Sequence, residues 1–336
     1  MKPLIEIKDQ IDGAPFHAVI TMHQNPDADA MGSSLALRDF LIRKGHKVTV
    51  ISPSSFPEFL QWMPGCEDVI IFEEEKKKAL EALDKANILF CLDFNNFNRT
   101  KNLAPYIEKA ESEKVLIDHH LHPQDVFDYG KSDTTAASSA LMIYEFVCEL
   151  GDASMINLNM AKCIYAGTMT DTGSFRFPAA TSRVHRMIAE LMDIGINHEE
   201  IHCAIYDNYG ENRLRFMGKV LLDQMEIDYD YNAALITIPS SFYKKYNLKP
   251  GDTEGLVNIP LSIKGIRFSA LLKDKNGEIR MSFRSTGDFN VNVFAKKYFH
   301  GGGHKNAAGG LSKASLKETV KQFKDTLKEN KYLLNN

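Results

Sequence analysis

The chain has 336 residues, 44% of them hydrophobic and 25% charged, a profile that fits a soluble globular protein with room for two domains of ordinary size. Its 40 Lys and Arg against 44 Asp and Glu give a net charge of −4. That balance argues against coating of long nucleic acid, which needs many basic contacts to phosphate, and leaves room for a short nucleotide held by a few Arg and His.

An apolar run predicts a first strand over residues 16–21. It leads into His23-Gln24-Asn25-Pro26-Asp27-Ala28-Asp29-Ala30-Met31-Gly32-Ser33-Ser34, then a periodic helix that runs to about Lys44 and stops at Gly45. One His and two Asp then lie where a strand gives way to a helix, the place where open α/β sheets bind ligands. The same residue types suit a capped turn, so this stretch alone does not decide. Strands are expected over 46–52 and 68–72, a charged helix over 73–86, and an apolar strand over 87–93 that ends on Asp93. A loop leads to Arg99, which reads as a solvated residue with phosphate contact as the less favoured role, and to a weak helix through Ala110. A fifth strand over 114–117 ends Asp118-His119-His120. Apolar strands that alternate with helices and end in Asp or His predict a doubly wound, mostly parallel sheet, with the strand ends converging at one edge.

Three helical runs follow, over 135–150, 157–169 and 182–194, and Thr170-Asp171-Thr172-Gly173 closes the second with a fourth candidate acid. Polar connecting helices are expected over 197–208 and 212–224. Beyond them come a hairpin of strands over 225–230 and 233–238, and a second over 266–273 and 278–284 around Asn276-Gly277, a strong turn signal. A helix over 291–299, the glycine-rich stretch His300 to Gly310, and a Lys-rich amphipathic helix over 316–334 complete the chain. The expected division is a first domain over 1–195, a helical linker over 196–224, and a smaller mixed α/β domain over 225–336.

The acidic and imidazole set is His23, Asp27, Asp29, Asp93, Asp118, His119, His120 and Asp171. Carboxylates mixed with imidazoles suit Mn²⁺, Fe²⁺ or Zn²⁺, whereas Mg²⁺ prefers oxygen alone. No thiolates accompany them, which argues against a structural zinc site. So many ligands point to two metals, spaced about 3.5–4 Å to clamp the attacking and leaving oxygens of a phosphoryl displacement. In the second domain, three consecutive glycines can bring backbone close to a ligand and form an anion-binding nest, with His304 and Lys305 adding donors and Arg284 a fork for a terminal phosphate.

These stretches together resemble the DHH phosphoesterases. His23-x-Asn-Pro-Asp-x-Asp-Ala-x-Gly-Ser33, the strand-end Asp93, Asp118-His-His120 and Thr170-Asp-Thr-Gly173 are similar to the four motifs of that family, in order, and Gly301-Gly-Gly-His-x-x-Ala-Ala-Gly309 is similar to the glycine-rich motif of its DHHA1 domain. The resemblance implies that His23 and Asp27 bind one Mn²⁺, that Asp29, His119 and Asp171 bind the other, and that Asp93 bridges them. It implies a water between the ions as nucleophile, Mg²⁺ or Co²⁺ as substitutes, and Asp118 and His120 orienting ligands or touching phosphate. Substrate would be held by Arg284, Gly301, Gly302, Gly303 and His304, with Ser138 and Arg176 as weaker candidates near the metals.

The activity implied is hydrolysis of very short oligoribonucleotides to mononucleotides, of 3′-phosphoadenosine 5′-phosphate to AMP, or both; a soluble cyclic- or linear-dinucleotide phosphodiesterase is the alternative. A DNA exonuclease would need further DNA-binding modules, and a pyrophosphatase a different C-terminal domain. An inactive nucleotide-binding regulator would have lost ligands, and none is missing. The scattered cysteines (66, 91, 148, 163 and 203), the mixed N-terminus and the absence of a long apolar run fit a cytoplasmic protein with free thiols and no membrane contact. A homodimer is compatible with all of this.

Overall fold

The computed structural model describes every residue except Pro250, Asn276 and Asn336, and of Asn335 the backbone alone. The chain divides into two compact units, Met1–Asn208 and Tyr209–Asn336. The two expected connecting helices are shared out, one to each unit.

Unit 1 opens with β1 (Lys2–Pro3), α1 (Lys8–Ile11), β2 (His17–Thr21) and α2 (Ala28–Arg43). Then come β3 (Lys47–Ser52), β4 (Ile70–Ile71), α3 (Lys76–Asp84), β5 (Ile88–Leu92), α4 (Ala104–Lys109), β6 (Glu113–Asp118) and β7 (Tyr129–Ser132). Helices α5 (Ser139–Glu149), α6 (Leu158–Asp171), α7 (Ser182–Asp193) and α8 (His198–Tyr206) complete it. The seven strands form one sheet in the order β1-β7-β6-β5-β2-β3-β4, every pairing parallel. From β2 the chain builds outward through β3 and β4, then returns to place β5 on the other side of β2. The strand order therefore reverses between β2 and β5, which opens a crevice at their carboxyl ends.

Alternation along the strands assigns the two faces. Ala18, Ile20, Phe90 and Ile117 pack with Met31, Leu35, Met142, Phe146 and Ile164 from α2, α5 and α6. Val19, Leu89, Cys91 and Leu116 pack with Ala79, Leu83, Ala104 and Ile107 from α3 and α4. Both faces are covered, so the central strands read as continuous apolar runs. Strand β7 was not expected. Its sequence, Tyr-Gly-Lys-Ser, lacks an apolar run, and its place comes from pairing with β6 on one side and β1 on the other. Gly130 is required there, since a Cβ would stand 2.5 Å from the Leu116 carbonyl oxygen.

Unit 2 holds α9 (Glu211–Asp223), β8 (Met225–Asp228), β9 (Ala233–Ile238), α10 (Ser240–Lys245), β10 (Phe268–Lys275) and β11 (Glu278–Ser285). It continues with α11 (Val291–Tyr298), β12 (Gly302–Gly303), β13 (Ala307–Ser312), α12 (Leu316–Glu329) and α13 (Lys331–Asn335). The sheet runs β12-β13-β11-β10-β9-β8 and is mixed: β9 and β10 are parallel, the other neighbours antiparallel. Both expected hairpins form; of the Asn276-Gly277 turn, Asn276 lies outside the described residues. Phe268, Phe283, Phe289, Phe294, Phe299 and Phe323 fill the core on one face. The glycine-rich stretch, for which no strand was expected, folds as the β12–β13 hairpin. A Cβ at Gly301 would sit 1.9 Å from the Gly309 carbonyl oxygen, so backbone packing alone demands glycine there.

Helices α2 and α6 cross closely at Gly32, where a Cβ would lie 2.4 Å from the Cys163 carbonyl oxygen. Gly32→Ala should therefore cost about 1–3 kcal/mol, the usual range for overpacking. Urea unfolding should show a lower midpoint at unchanged slope; an unchanged midpoint would contradict this packing.

Candidate metal centre

Four segments of unit 1 meet at the crevice between β2 and β5. The first is the loop from His23 to Asp27. His23 Nδ1 donates to the Gln24 carbonyl oxygen at 3.0 Å, which turns Nε2 toward Asp93 Oδ2 at 3.3 Å and Asp27 Oδ2 at 3.8 Å. Asp27 divides its carboxylate. Oδ1 caps α2 by accepting from the Asp29 and Ala30 N–H groups, and Oδ2 faces His23. The residue that caps the turn is thus also the candidate ligand.

The second segment is the end of β5. Asp93 is the first residue past the strand, buried, with φ +59°. A non-glycine residue in this region is held there by its surroundings, a form of strain that gathers at functional sites. Its two oxygens point to different neighbours: Oδ2 to His23, Oδ1 to His119 Nε2 at 3.4 Å. Ser139 Oγ donates to Oδ1 as well, at 3.1 Å.

The third segment is the end of β6. His119 Nδ1 lies 3.3 Å from the Ala136 carbonyl oxygen, and Nε2 faces Asp171 Oδ2 at 3.3 Å and Asp29 Oδ2 at 3.8 Å. The imidazoles of His23 and His119 are thus both oriented through Nδ1 by a carbonyl, an arrangement that would fix the tautomer for ligation through Nε2. Asp118, fully buried, receives the His120 ring at Nδ1 (2.7 Å) and the His120 backbone N–H (3.1 Å). It fixes the orientation of His120.

The fourth contribution comes from α5 and the end of α6. Asp29, fully buried, accepts from the N–H groups of Ser139 (2.7 Å) and Ala140 (2.8 Å), the first turn of α5. A helix N-terminus favours an anion there. Asp171 ends α6. With side-chain exposures of 42% and 27%, Asp27 and Asp171 mark the open side of the site.

Within unit 1, candidate ligand atoms lie within 4.8 Å of one another in three groups: His23, Asp27 and Asp93; Asp29, His119 and Asp171; and Asp93, Asp118 and His120. The electrostatics match this crowding. Burial, joined by the Asp93 and Asp171 charges, holds Asp29 well above the usual carboxylate range. Burial also opposes ionisation of Asp93, but hydrogen bonds from His119 and His23 outweigh it and bring it well below that range. For His119 burial disfavours the charged ring, and Asp93, Asp171 and Asp29 overcome it, so its pKa is well raised; His23 is raised in the same way by Asp93 and Asp27. The pocket draws positive charge into itself, and oriented imidazoles beside shared carboxylates fit divalent cations.

Ser138, buried, caps α5 by accepting from the Leu141 N–H and bonds Thr168 Oγ1, while its neighbour Ser139 is the serine that reaches the site. Arg176 is exposed on the turn past Asp171, with Nε on the Gly173 carbonyl. In unit 2, Arg284 Nη1 donates to the Phe283 carbonyl, and His304 lies in the β12–β13 connection. Lys305 is ion-paired with Asp288. The Gly301 and Gly303 N–H groups donate to the Ala295 carbonyl and Asn292 Oδ1, which takes these two out of an anion nest. Arg99, read as solvated, is half-buried with Nη1 3.4 Å from the Asp93 carbonyl oxygen. Its position depends on how the loop after β5 folds back, which no local spacing announces.

Residues 17–168 match the DHH family, N-terminal domain, and residues 233–330 the DHHA1 domain. The chain is 29% identical to the bifunctional oligoribonuclease and PAP phosphatase NrnA of Bacillus subtilis over 293 residues, 87% of this chain and 88% of that one. The crystal structure of an exopolyphosphatase-related protein from Bacteroides fragilis superposes with a TM-score of 0.94 at 38% identity, covering 99% of this chain and 97% of that one. RecJ from Thermus thermophilus in complex with Mn²⁺ shares the fold, at a TM-score of 0.55 and 13% identity over 98% of this chain and 54% of RecJ.

A ligand that binds only the folded state raises stability by mass action. Mn²⁺ should therefore raise the Tm of the chelator-treated protein. Asp93→Asn keeps a residue type that tolerates positive φ, so the fold should persist while most of that rise is lost. A full rise in the variant would remove Asp93 from the centre.

Proposed function

The chain belongs to the DHH family and carries the DHHA1 domain, and from that premise we propose that it is a manganese-dependent phosphoesterase. Its substrates in this reading are very short oligoribonucleotides, cut to mononucleotides, and 3′-phosphoadenosine 5′-phosphate, converted to AMP. The observation that carries the reading is Asp93, one oxygen turned to His23 and the other to His119, at the junction of two ligand groups.

His23 and Asp27 would hold one cation, Asp29, His119 and Asp171 the other, with Asp93 shared. Two such ions supply Lewis acidity, lowering the pKa of a water and neutralising charge on phosphoryl oxygens. The chain's own residues do the positioning. The first turn of α5 holds Asp29, and the Gln24 and Ala136 carbonyls turn the two imidazoles inward. Burial, with the Arg99 charge adding to it and Asp118 opposing, keeps His120 below its ordinary pKa, and Asp118 holds the ring at Nδ1.

Charge distribution supports an anionic substrate. Unit 1 has 19 Lys and Arg against 31 Asp and Glu, a net of −12; unit 2 has 21 against 13, a net of +8. Within unit 2, Lys273 and Arg280 stand opposite each other across β10 and β11, and burial, with Lys275, Arg280 and Arg284 nearby, lowers the Lys273 pKa. Like charges paired across strands are unfavourable unless an anion comes between them. In our reading unit 2 grips the nucleotide through Arg284 and His304, with Gly301, Gly302 and Gly303 shaping the hairpin that presents His304.

A substrate panel tests this. Mn²⁺ should support faster turnover than Mg²⁺, chelation should abolish it, and rates should fall as RNA lengthens beyond a few nucleotides, with dinucleotides among the best substrates. Arg284→Ala should raise KM and leave Mn²⁺ content unchanged. Equal rates on dinucleotides and long RNA, or better rates in Mg²⁺, would overturn the reading.

A further inference from the structure

Arg99 is a cation in a pocket otherwise built to collect cations. Its backbone is fastened at both sides of the crevice. The Arg99 N–H donates to the Asn96 carbonyl at 2.9 Å within the loop after β5, and its carbonyl accepts from the Gln24 N–H at 2.9 Å in the His23–Asp27 loop. Two residues further on, Lys101 has φ +52°, so the stretch that carries Arg99 is held in a conformation most residues avoid. The guanidinium reaches the carbonyl oxygen of Asp93, the residue whose carboxylate joins the two ligand groups. Its charge works against the imidazolium forms of both His23 and His120, on the two sides of Asp93, although burial remains the larger effect at each ring.

Arg99 is not spent as a structural arginine is. Arg183 in the same unit forms ion pairs with Asp133 and Glu145 and uses Nε and both Nη atoms in doing so. Arg99 donates one long bond to a carbonyl, and among the described residues no carboxylate lies within ion-pair distance of it, despite five aspartates at the centre beside it. An arginine carries five N–H donors in a planar fork that matches two oxygens of one phosphate. Among the described residues four of these donors have no acceptor, next to the residue shared by both ligand groups.

We propose that Arg99 is a catalytic residue that binds the non-bridging oxygens of the scissile phosphate and stabilises the charge they carry in the transition state. This rests on the phosphoesterase reading above. The Asp93 carbonyl oxygen holds the guanidinium at the residue whose carboxylate joins the two ligand groups. Arginines that stabilise phosphoryl transition states contribute about 10³–10⁵ in kcat where they have been removed.

The test uses the full chain with Mn²⁺ and three variants, Arg99→Ala, Arg99→Lys and Arg99→Gln, each checked for wild-type Tm. Dinucleotide turnover should lose about 10²-fold or more in kcat in the Ala and Gln variants, the cost of one transition-state donor, with KM changing far less. Calorimetry should show Mn²⁺ binding unchanged and the affinity for inorganic phosphate weakened at least tenfold. Added guanidinium chloride at sub-denaturing concentration should restore part of the Arg99→Ala rate. A rate within threefold of wild type in Arg99→Ala would overturn the proposal. So would loss of Mn²⁺ in proportion to the loss of rate, which would make Arg99 a support for Asp93 instead. If the wild type failed to cleave dinucleotides at all, the phosphoesterase reading would fall, while the phosphate-binding arm, which needs no turnover, would still judge Arg99.

Discussion

Five aspartates cannot share one pocket as anions unless positive charge is drawn in with them. Asp27, Asp29, Asp93, Asp118 and Asp171 gather at the carboxyl end of a parallel sheet, three of them buried. At an effective dielectric of 20, two unit charges 4 Å apart repel by about 4 kcal/mol, so the cluster is tenable only with compensation. Part of that compensation is built in: the N-terminus of α5 for Asp29, the His120 ring and backbone for Asp118, the α2 N-terminus for Asp27. What remains, the Asp27 carboxylate faced by His23 on one side of Asp93 and the Asp171 carboxylate faced by His119 on the other, is where the proposed cations would add their charge.

The fold supplies the crowding. A parallel doubly wound sheet puts the carboxyl ends of β2, β5 and β6 side by side, and the reversal of order between β2 and β5 leaves a gap above them. The close crossing of α2 and α6 at Gly32 and Gly167 lets Asp29 and Asp171, from two different helices, face one imidazole. A Cβ at Gly167 would lie 2.9 Å from Asp29 Oδ1, so the small residue there makes room for the acid as much as for the helix. Stability and site draw on the same contacts.

Much of this was legible in the sequence because it depends on local order. Apolar runs that end in Asp or His mark strands and the edge they share, and Thr170-Asp-Thr-Gly173 marks a helix end. What escaped depends on partners far along the chain. Strand β7 has no pattern of its own and exists because β6 and β1 flank it. The glycines of 301–303 look open in sequence and are consumed by the β12–β13 hairpin. Ser138 and Ser139 are alike in sequence, and only the phase of α5 decides which of them caps the helix and which reaches Asp93. Arg99 is six residues from the acid it touches, in a loop whose return path is set by Gln24.

The central claim is that Asp93 joins two cation sites, one made with His23 and Asp27, the other with Asp29, His119 and Asp171. Anomalous diffraction from crystals grown with Mn²⁺ tests it most directly. Two peaks about 3.5–4 Å apart, one against each ligand group with Asp93 touching both, are expected for a paired site. A single peak, or two peaks that Asp93 does not link, would contradict it.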